Sequence, residues 1–212
     1  MANSLHIVGV QFSSFTRIVQ FCCEEIGLNY SLGTTVNGQD FVPRSAAIQT
    51  LHPFGKIPIL LDNGKALFET QAICRYLDNH YNQSRLQPVD AWQRAQVDQW
   101  CAAITAYVDK NIIRNYILEF RFPKGNNGSV RMDVAEAAMP DIIATVKILE
   151  KQLATRQFLV GDQFTLADIM LMPALHYLSL APNNLALLRQ DSPLRDYLKN
   201  LLERPAAKKV FI

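Results

Sequence analysis

Between Thr50 and Leu77 the chain reads TLHPFGKIPILLDNGKALFETQAICRYL, and this stretch constrains the fold more than any other. Ile57 precedes a proline and is pushed towards extended backbone. Pro58 fixes its own φ and has no amide proton. A cis Ile57–Pro58 bond would turn the chain sharply and leave the Ile57 N–H and C=O facing outward. About 5–6% of such bonds are cis in folded proteins, so the sequence leaves both isomers open. Ile59, Leu60 and Leu61 form a short apolar run, the pattern of a buried strand. Asn63-Gly64 signals a two-residue hairpin because both residues tolerate positive φ. Ala66, Leu67 and Phe68 supply the return strand. A helix then opens at Glu69 and Thr70, with Ile73, Cys74 and Leu77 on its apolar side. The free N–H groups of its first turn carry positive partial charge, which suits a carboxylate. Taken alone, Thr70 reads better as a plain helix cap.

Upstream, Leu5, Ile7 and Val10 mark a strand from about Ser4 to Val10. Ser13 or Ser14 caps a helix whose apolar positions Phe15, Ile18, Val19, Cys22 and Ile26 follow the helical period, and Gly27 ends it. Asn29 to Leu32 reads as a second strand. Asn37-Gly38 and Pro43 mark a loop, and a weak helix comes next, near Ser45 to Thr50. The order β-α-β-α-β-β-α is an α/β pattern.

Asn82 to Asp90 is polar, contains Pro88 and reads as a linker. From there to the C-terminus the pattern is helical. Val97, Trp100, Cys101, Ile104, Val108 and Ile112 form one apolar face. Phe122 to Gly128 breaks that helix, and Met139, Ile142, Ile143, Val146, Leu149 and Leu153 form the next face. Thr165 to Leu180 is strongly apolar, and Asp191-Ser192-Pro193 starts another helix. Thr165 and Asp168 have capping-box spacing, and Phe164 can staple against Ile169. This is a folding device that should stabilise the buried helix by about 1 kcal/mol.

Composition excludes several classes. With 49% apolar and 19% charged residues the chain is an ordinary globular one. A net charge of +2 implies no general attraction to nucleic acid. No stretch approaches the ~18 apolar residues of a membrane span. The opening MANSLHIVGVQF has no basic region and does not read as a signal peptide. Cys22, Cys23, Cys74 and Cys101 fit neither a zinc site nor a CxxC pair, so buried, reduced thiols in a cytoplasmic protein are expected.

Together SSFTR, HPFGKIP, FETQAICRYL and FLVGDQFTLAD, in that order, resemble the cytosolic glutathione transferases over essentially the whole chain. The resemblance is strongest to the serine-type classes, phi and theta, and to their bacterial relatives. It implies an α/β plus all-α fold: a thioredoxin-like glutathione-binding domain at 1–82, a linker at 83–90 and an all-α domain at 91–212. It also implies a homodimer, glutathione as co-substrate, no metal, and a small apolar electrophile as second substrate.

The family's serine and its arginine four residues later fall on Ser13 and Arg17, with Ser14 as the neighbouring candidate. Only a thiolate is a good nucleophile, and a free thiol has a pKa near ~8.5. A hydroxyl donating to sulfur, beside a helix N-terminus, favours the charged form. Ser13 would thus be a hydrogen-bond donor to glutathione rather than a nucleophile. Ile57 resembles the residue whose backbone pairs with the cysteinyl part of glutathione by strand addition next to Pro58. Lys56 would reach the glycine carboxylate. Glu69 and Thr70 resemble the family's Glu-Ser pair for the γ-glutamyl end. Arg44 stands near a His-Lys pair of the phi pattern and would replace the lysine, with the histidine missing. Gln11-Phe12 stands where a proline is common. Phe12, Tyr107, Asn111 and Tyr116 are the expected walls for the apolar substrate. His52 and His176 read as packing histidines, and Trp92 and Trp100 as packing at the domain and dimer junction.

Two other readings weigh against conjugation by a thiolate. A cysteine-type thiol oxidoreductase would need a cysteine at the first helix start, where Ser13 and Ser14 stand. A non-catalytic binding or assembly module on the same fold would tend to lose the serine or the Glu-Thr pair.

Overall fold

The computed structural model describes residues 5–211, so Ser4 and the outer bounds 1 and 212 of the expected domains lie outside the described residues. The chain divides into two compact units, Met1–Gln87 with Pro205–Ile212, and Pro88–Arg204.

In the first unit β1 (Leu5–Val8) leads into α1 (Ser14–Ile26) and β2 (Tyr30–Gly33). β1 and β2 are parallel, which requires the crossover that α1 provides. β5 (Ile59–Asp62) runs antiparallel to β1, and β6 (Lys65–Phe68) antiparallel to β5, giving the order β2-β1-β5-β6. The β5–β6 turn is Asn63-Gly64 with φ of 49° and 80°, as the dipeptide demands. Between β2 and β5 lie a small hairpin, β3 (Thr35–Val36) with β4 (Gln39–Asp40), and the single turn α2 (Ala46–Gln49). That hairpin, turned by Asn37-Gly38, stands where the sequence suggested only a loop.

Alternation along the strands gives the sheet two apolar faces. Val8, Ile59 and Leu61 pack with Phe41 and Ile48 on one of them. α3 (Thr70–Tyr81) packs with α1 and with β5 and β6. α3 ends on a built corner that runs into the expected linker. Asp78, fully buried, accepts from the Leu86 amide at 3.1 Å and from the side chains of Gln87 and Asn82 at 2.8 Å each.

The second unit begins with α4 (Ala91–Ala103), capped by Asp90, whose carboxylate accepts from the Gln93 amide at 2.9 Å. The helix continues with the i→i+5 bonding and wider turn of a π-helix over Ile104–Ile117 and closes as α5 (Leu118–Arg121). After a short turn at Asn126–Gly128 come α6 (Met132–Ala137) and α7 (Met139–Leu153). The buried stripe of α7 is Ile142, Val146, Leu149 and Leu153. Ile143 does not belong to it. One residue past Ile142 turns the side chain about 100° away, and it is 41% exposed. α8 (Leu166–Leu180) is buried nearly all round, packed by α4 and its π continuation, α9 (Asn184–Leu187) and α10 (Pro193–Leu202).

Asp168 is fully buried at the start of α8. It accepts from the Leu159 and Thr165 amides at 2.8 Å each, from the Thr165 hydroxyl at 3.0 Å and from the Tyr197 hydroxyl at 2.7 Å. The carboxylate therefore ties the incoming loop and α10 to the helix start, well beyond a local cap. Burial pushes its pKa up, and these donors oppose that.

α11 (Pro205–Val210) corrects the expected extent of the helical half. It packs on α1 in the first unit, with Phe211 edge-on to Phe21 at 5.4 Å and Lys209 bonded to Glu24 at 2.7 Å. Among the described residues no helix is long and apolar enough to cross a membrane.

Candidate functional site

One row of the sheet organises the site. Val8 pairs with Gly33 and with Ile59, and Ile59 pairs with Phe68. The segment after β1, the Ile57-Pro58 step before β5 and the Glu69-Thr70 step after β6 therefore leave the sheet at one end. Ser13, Ile57, Pro58, Glu69 and Thr70 lie on these three segments.

Ser13 is the residue before α1. Its Oγ accepts from the Thr16 amide at 3.3 Å, and its backbone amide donates to Val10 O at 3.1 Å. A serine hydroxyl has two lone pairs and one proton. The cap uses a lone pair, so the proton is left to donate. Ser14 is instead the first helical residue. The loop ahead of Ser13 is clamped from α1. Arg17 Nε donates to Gln11 O at 2.9 Å, and Gln20 Nε2 donates to Gln11 Oε1 at 3.3 Å.

The Ile57–Pro58 bond is cis. Pro58 is buried, Ile57 half-buried and Lys56 exposed. The loop before them closes on Arg44, whose amide donates to Gly55 O at 2.9 Å. Arg44 is exposed, with φ of 68°. His52 is 3% exposed: its Nδ1 accepts from the Phe54 amide at 3.2 Å and its ring lies 4.7 Å from that of Phe68. It thus pins this loop to the end of β6, a positioning role that its apolar surroundings in sequence do not reveal. Burial holds the His52 pKa below its usual value, with Glu69 acting to raise it and Lys56 to lower it. The ring is within electrostatic reach of two of the expected site charges.

Glu69 has φ of 69° and ψ of 114°, and its side chain is exposed. A positive φ is uncommon for such a residue and costs about 1–3 kcal/mol. Thr70 is buried at the first position of α3. The start of α3 stands at the same end of the sheet as Ser13's loop.

The expected substrate walls divide. Phe12 is 45% exposed on the loop that carries Ser13. In the second unit Tyr107 is 67% exposed, and Asn111 is half-buried with its Nδ2 donating to Thr145 Oγ1 at 3.0 Å. Tyr116 is no wall. It is 1% exposed, donates its hydroxyl to Pro182 O at 2.6 Å and packs edge-on to Phe120 at 5.0 Å. A tyrosine whose hydroxyl is satisfied by backbone is core. Trp92 is 72% exposed and Trp100 half-buried. Among the described residues no group of three or more His, Cys, Asp or Glu is placed to hold a metal ion.

A thioredoxin-like sheet with a capped serine, a cis-proline and a helix start at one end, joined to an all-α unit, defines a class of protein. Models of the glutathione S-transferase N-terminal and C-terminal domains match residues 12–80 and 132–200. Glutathione S-transferase F11 of Arabidopsis thaliana is 31% identical over 165 residues, 74% of each chain. Glutathione S-transferase 4 of Zea mays is 27% identical over 207 residues, 98% of this chain and 92% of that one. The structure of a theta-class enzyme from Xanthomonas axonopodis pv. citri, solved with glutathione bound, superposes with a TM-score of 0.82. It is 25% identical and covers 99% of this chain and 98% of that one. The chain belongs to the glutathione S-transferase family.

Proposed function

We propose that this glutathione S-transferase binds glutathione at the row defined by Val8, Ile59 and Phe68 and activates its thiol through Ser13. The observation that carries this reading is the capped Ser13 hydroxyl, whose proton is free to point at a sulfur. Ile57 would pair its N–H and C=O with the cysteinyl residue beside cis-Pro58. The Thr70 hydroxyl and the amides at the start of α3 would hold the γ-glutamyl carboxylate, with Glu69 on its amine. Lys56 and Arg44 would take the glycine carboxylate.

The chemistry is set by charge. Donation from Ser13 Oγ stabilises the thiolate over the thiol, and the positive end of α1 adds to it. The thiolate sulfur attacks an electrophilic carbon. A C–S bond forms, and the displaced group leaves with its electron pair or, in an addition, the acceptor carbon takes up a proton. With a hydroperoxide the sulfur would instead attack oxygen, and a second glutathione would complete the reduction. Phe12, half-exposed beside Ser13, offers an apolar surface to the electrophile.

The setting is a detoxification-type enzyme, cytoplasmic and homodimeric. Four buried cysteines outside any disulfide suit a reducing compartment. Large apolar side chains left exposed on one chain, Phe54 at 70%, Val89 at 98% and Trp92 at 72%, suit burial against a second copy.

The test is the ultraviolet thiolate absorbance that appears when glutathione is added at neutral pH. A hydrogen bond to a charged group is worth about 1.5–3 kcal/mol, so Ser13→Ala should move the bound thiol's titration up by about one to two pH units. A signal surviving Ser13→Ala would transfer the role to Ser14 or to the helix end. No signal in the wild type would favour a binding module.

A further inference from the structure

We propose that Phe211, just beyond α11, is a positioning residue for Ser13. The proposal rests on Ser13 being the donor to the glutathione sulfur. α11 packs along α1, with Lys209 bonded to Glu24 at 2.7 Å and Phe211, the residue after the helix, edge-on to the fully buried Phe21 at 5.4 Å. Phe211 is itself 7% exposed. The guanidinium of Arg17 lies over its ring, 5.8 Å from the centroid. Arg17 in turn donates from Nε to the Gln11 carbonyl at 2.9 Å, and its amide donates to Ser13 O at 2.9 Å.

A physical chain thus runs from the C-terminal helix to the hydroxyl that addresses the sulfur. The ring quadrupole attracts the guanidinium. A guanidinium so held keeps its fork in a fixed plane and loses less freedom on binding a carbonyl. The carbonyl belongs to the loop Gly9–Ser13, and a hydroxyl displaced by a fraction of an ångström donates less well. Gln11, at a position where a proline would stiffen the loop by itself, is instead stiffened from outside. Far from the sheet row in sequence, residues 205–211 become part of the machinery that sets the thiol's charge.

Phe211→Leu keeps the apolar volume and removes the ring face; Phe211→Tyr keeps the face. The experiment titrates the thiolate absorbance of bound glutathione against pH and measures glutathione affinity and the melting transition for both variants, for Arg17→Gln and for the double variant. A cation–π contact is worth about 0.5–1 kcal/mol, so the thiolate fraction at a pH below the titration midpoint should fall about two- to fivefold in Phe211→Leu. Affinity should stay within about twofold, and Phe211→Tyr should restore the wild-type curve. In Arg17→Gln the same shift should appear with α11 untouched, and adding Phe211→Leu to it should shift the curve no further. Additive shifts, or a Phe211→Leu curve matching the wild type, would overturn the positioning role and leave Ser13's intact. A shift seen only together with loss of the cooperative melt would make Phe211 merely structural. If wild-type protein bound glutathione without any thiolate signal, the reading of Ser13 itself would fall, and this proposal with it.

Discussion

Arg44 and Gly55 face each other across the loop ahead of the cis-proline, the Arg44 amide on the Gly55 carbonyl at 2.9 Å. Gly55 has φ of +60°, and a Cβ there would stand 3.3 Å from Arg44 Cα and 3.5 Å from its N. Gly55→Ala therefore meets two costs. The left-handed backbone disfavours alanine by about 1–2 kcal/mol, and the new methyl presses on Arg44. We expect a stability loss of about that size in urea unfolding and a several-fold weaker glutathione affinity. Gly38→Ala is the control, since Gly38 has φ of +80° with nothing within 4 Å of the added carbon. It should lose similar stability at unchanged glutathione affinity. Equal affinities in the two variants would remove Arg44 from the binding site.

Asp62, at the opposite end of β5, gives the fold an acid-sensitive joint. Both the Tyr76 and Tyr81 hydroxyls donate to its Oδ2, at 2.6 and 2.7 Å, and Asn63 Nδ2 donates to Oδ1 at 2.8 Å. Burial pushes the carboxyl up, but the two hydroxyls, helped by His80 and Lys65, hold it below its usual range. A depressed folded-state pKa means stability that is present above the unfolded value near 3.8 and lost as pH falls through the folded value. Tyr81→Phe should cost about 1–2 kcal/mol at pH 7, and the deficit should shrink as unfolding is measured at progressively lower pH below 3.8. A deficit independent of pH would show that the tyrosine acts by packing alone.

Much of this molecule can be read locally. Ser13 before α1, Asn63-Gly64 in the hairpin and Thr165 with Asp168 at α8 are devices whose chemistry spans a few residues, and short spacings display them. What escaped the sequence depends on distant partners. Tyr116 has helical spacing from Asn111 that suits a wall, yet Pro182 takes its hydroxyl. Ile143 looks as apolar as Ile142 and points the other way. Nothing in PAAKKVF says that it packs on a helix that begins at Ser14. Asp168 looked like half of a capping box because only its Thr165 partner is near in sequence; Leu159 and Tyr197 are not.

That wider role ranks two substitutions. Tyr197→Phe removes one donor to Asp168 and leaves three, so a loss of about 1–2 kcal/mol is expected. Asp168→Ala strands two buried amides and two buried hydroxyls together. It should cost clearly more, about 3 kcal/mol or above, because each unsatisfied buried group carries its own desolvation penalty. Chemical denaturation of both variants checks the order. Similar losses would reduce Asp168 to an ordinary helix cap.

Thr16 offers the opposite case, a polar group whose removal should help. It is fully buried beneath the loop that carries Ser13, and its Oγ1 has no hydrogen-bonding partner among the described residues. The side chain fills the space over Gly9, where a Cβ would come within 2.6 Å of Oγ1 and 2.8 Å of Cγ2. Its part in capping α1 is played by the backbone amide, which donates to Ser13. Thr16→Val keeps the shape, keeps the cap and removes an uncompensated desolvation cost, so stability should rise by up to about 1 kcal/mol with the thiolate titration of bound glutathione unchanged. Gly9→Ala should do the reverse: the added methyl overpacks the same space, costs about 1–3 kcal/mol and displaces the loop, weakening the thiolate signal. Should Thr16→Val instead lose stability, the hydroxyl must hold a buried water under the loop, and the signal should then fall with it, because that water would be part of what holds Ser13 in place.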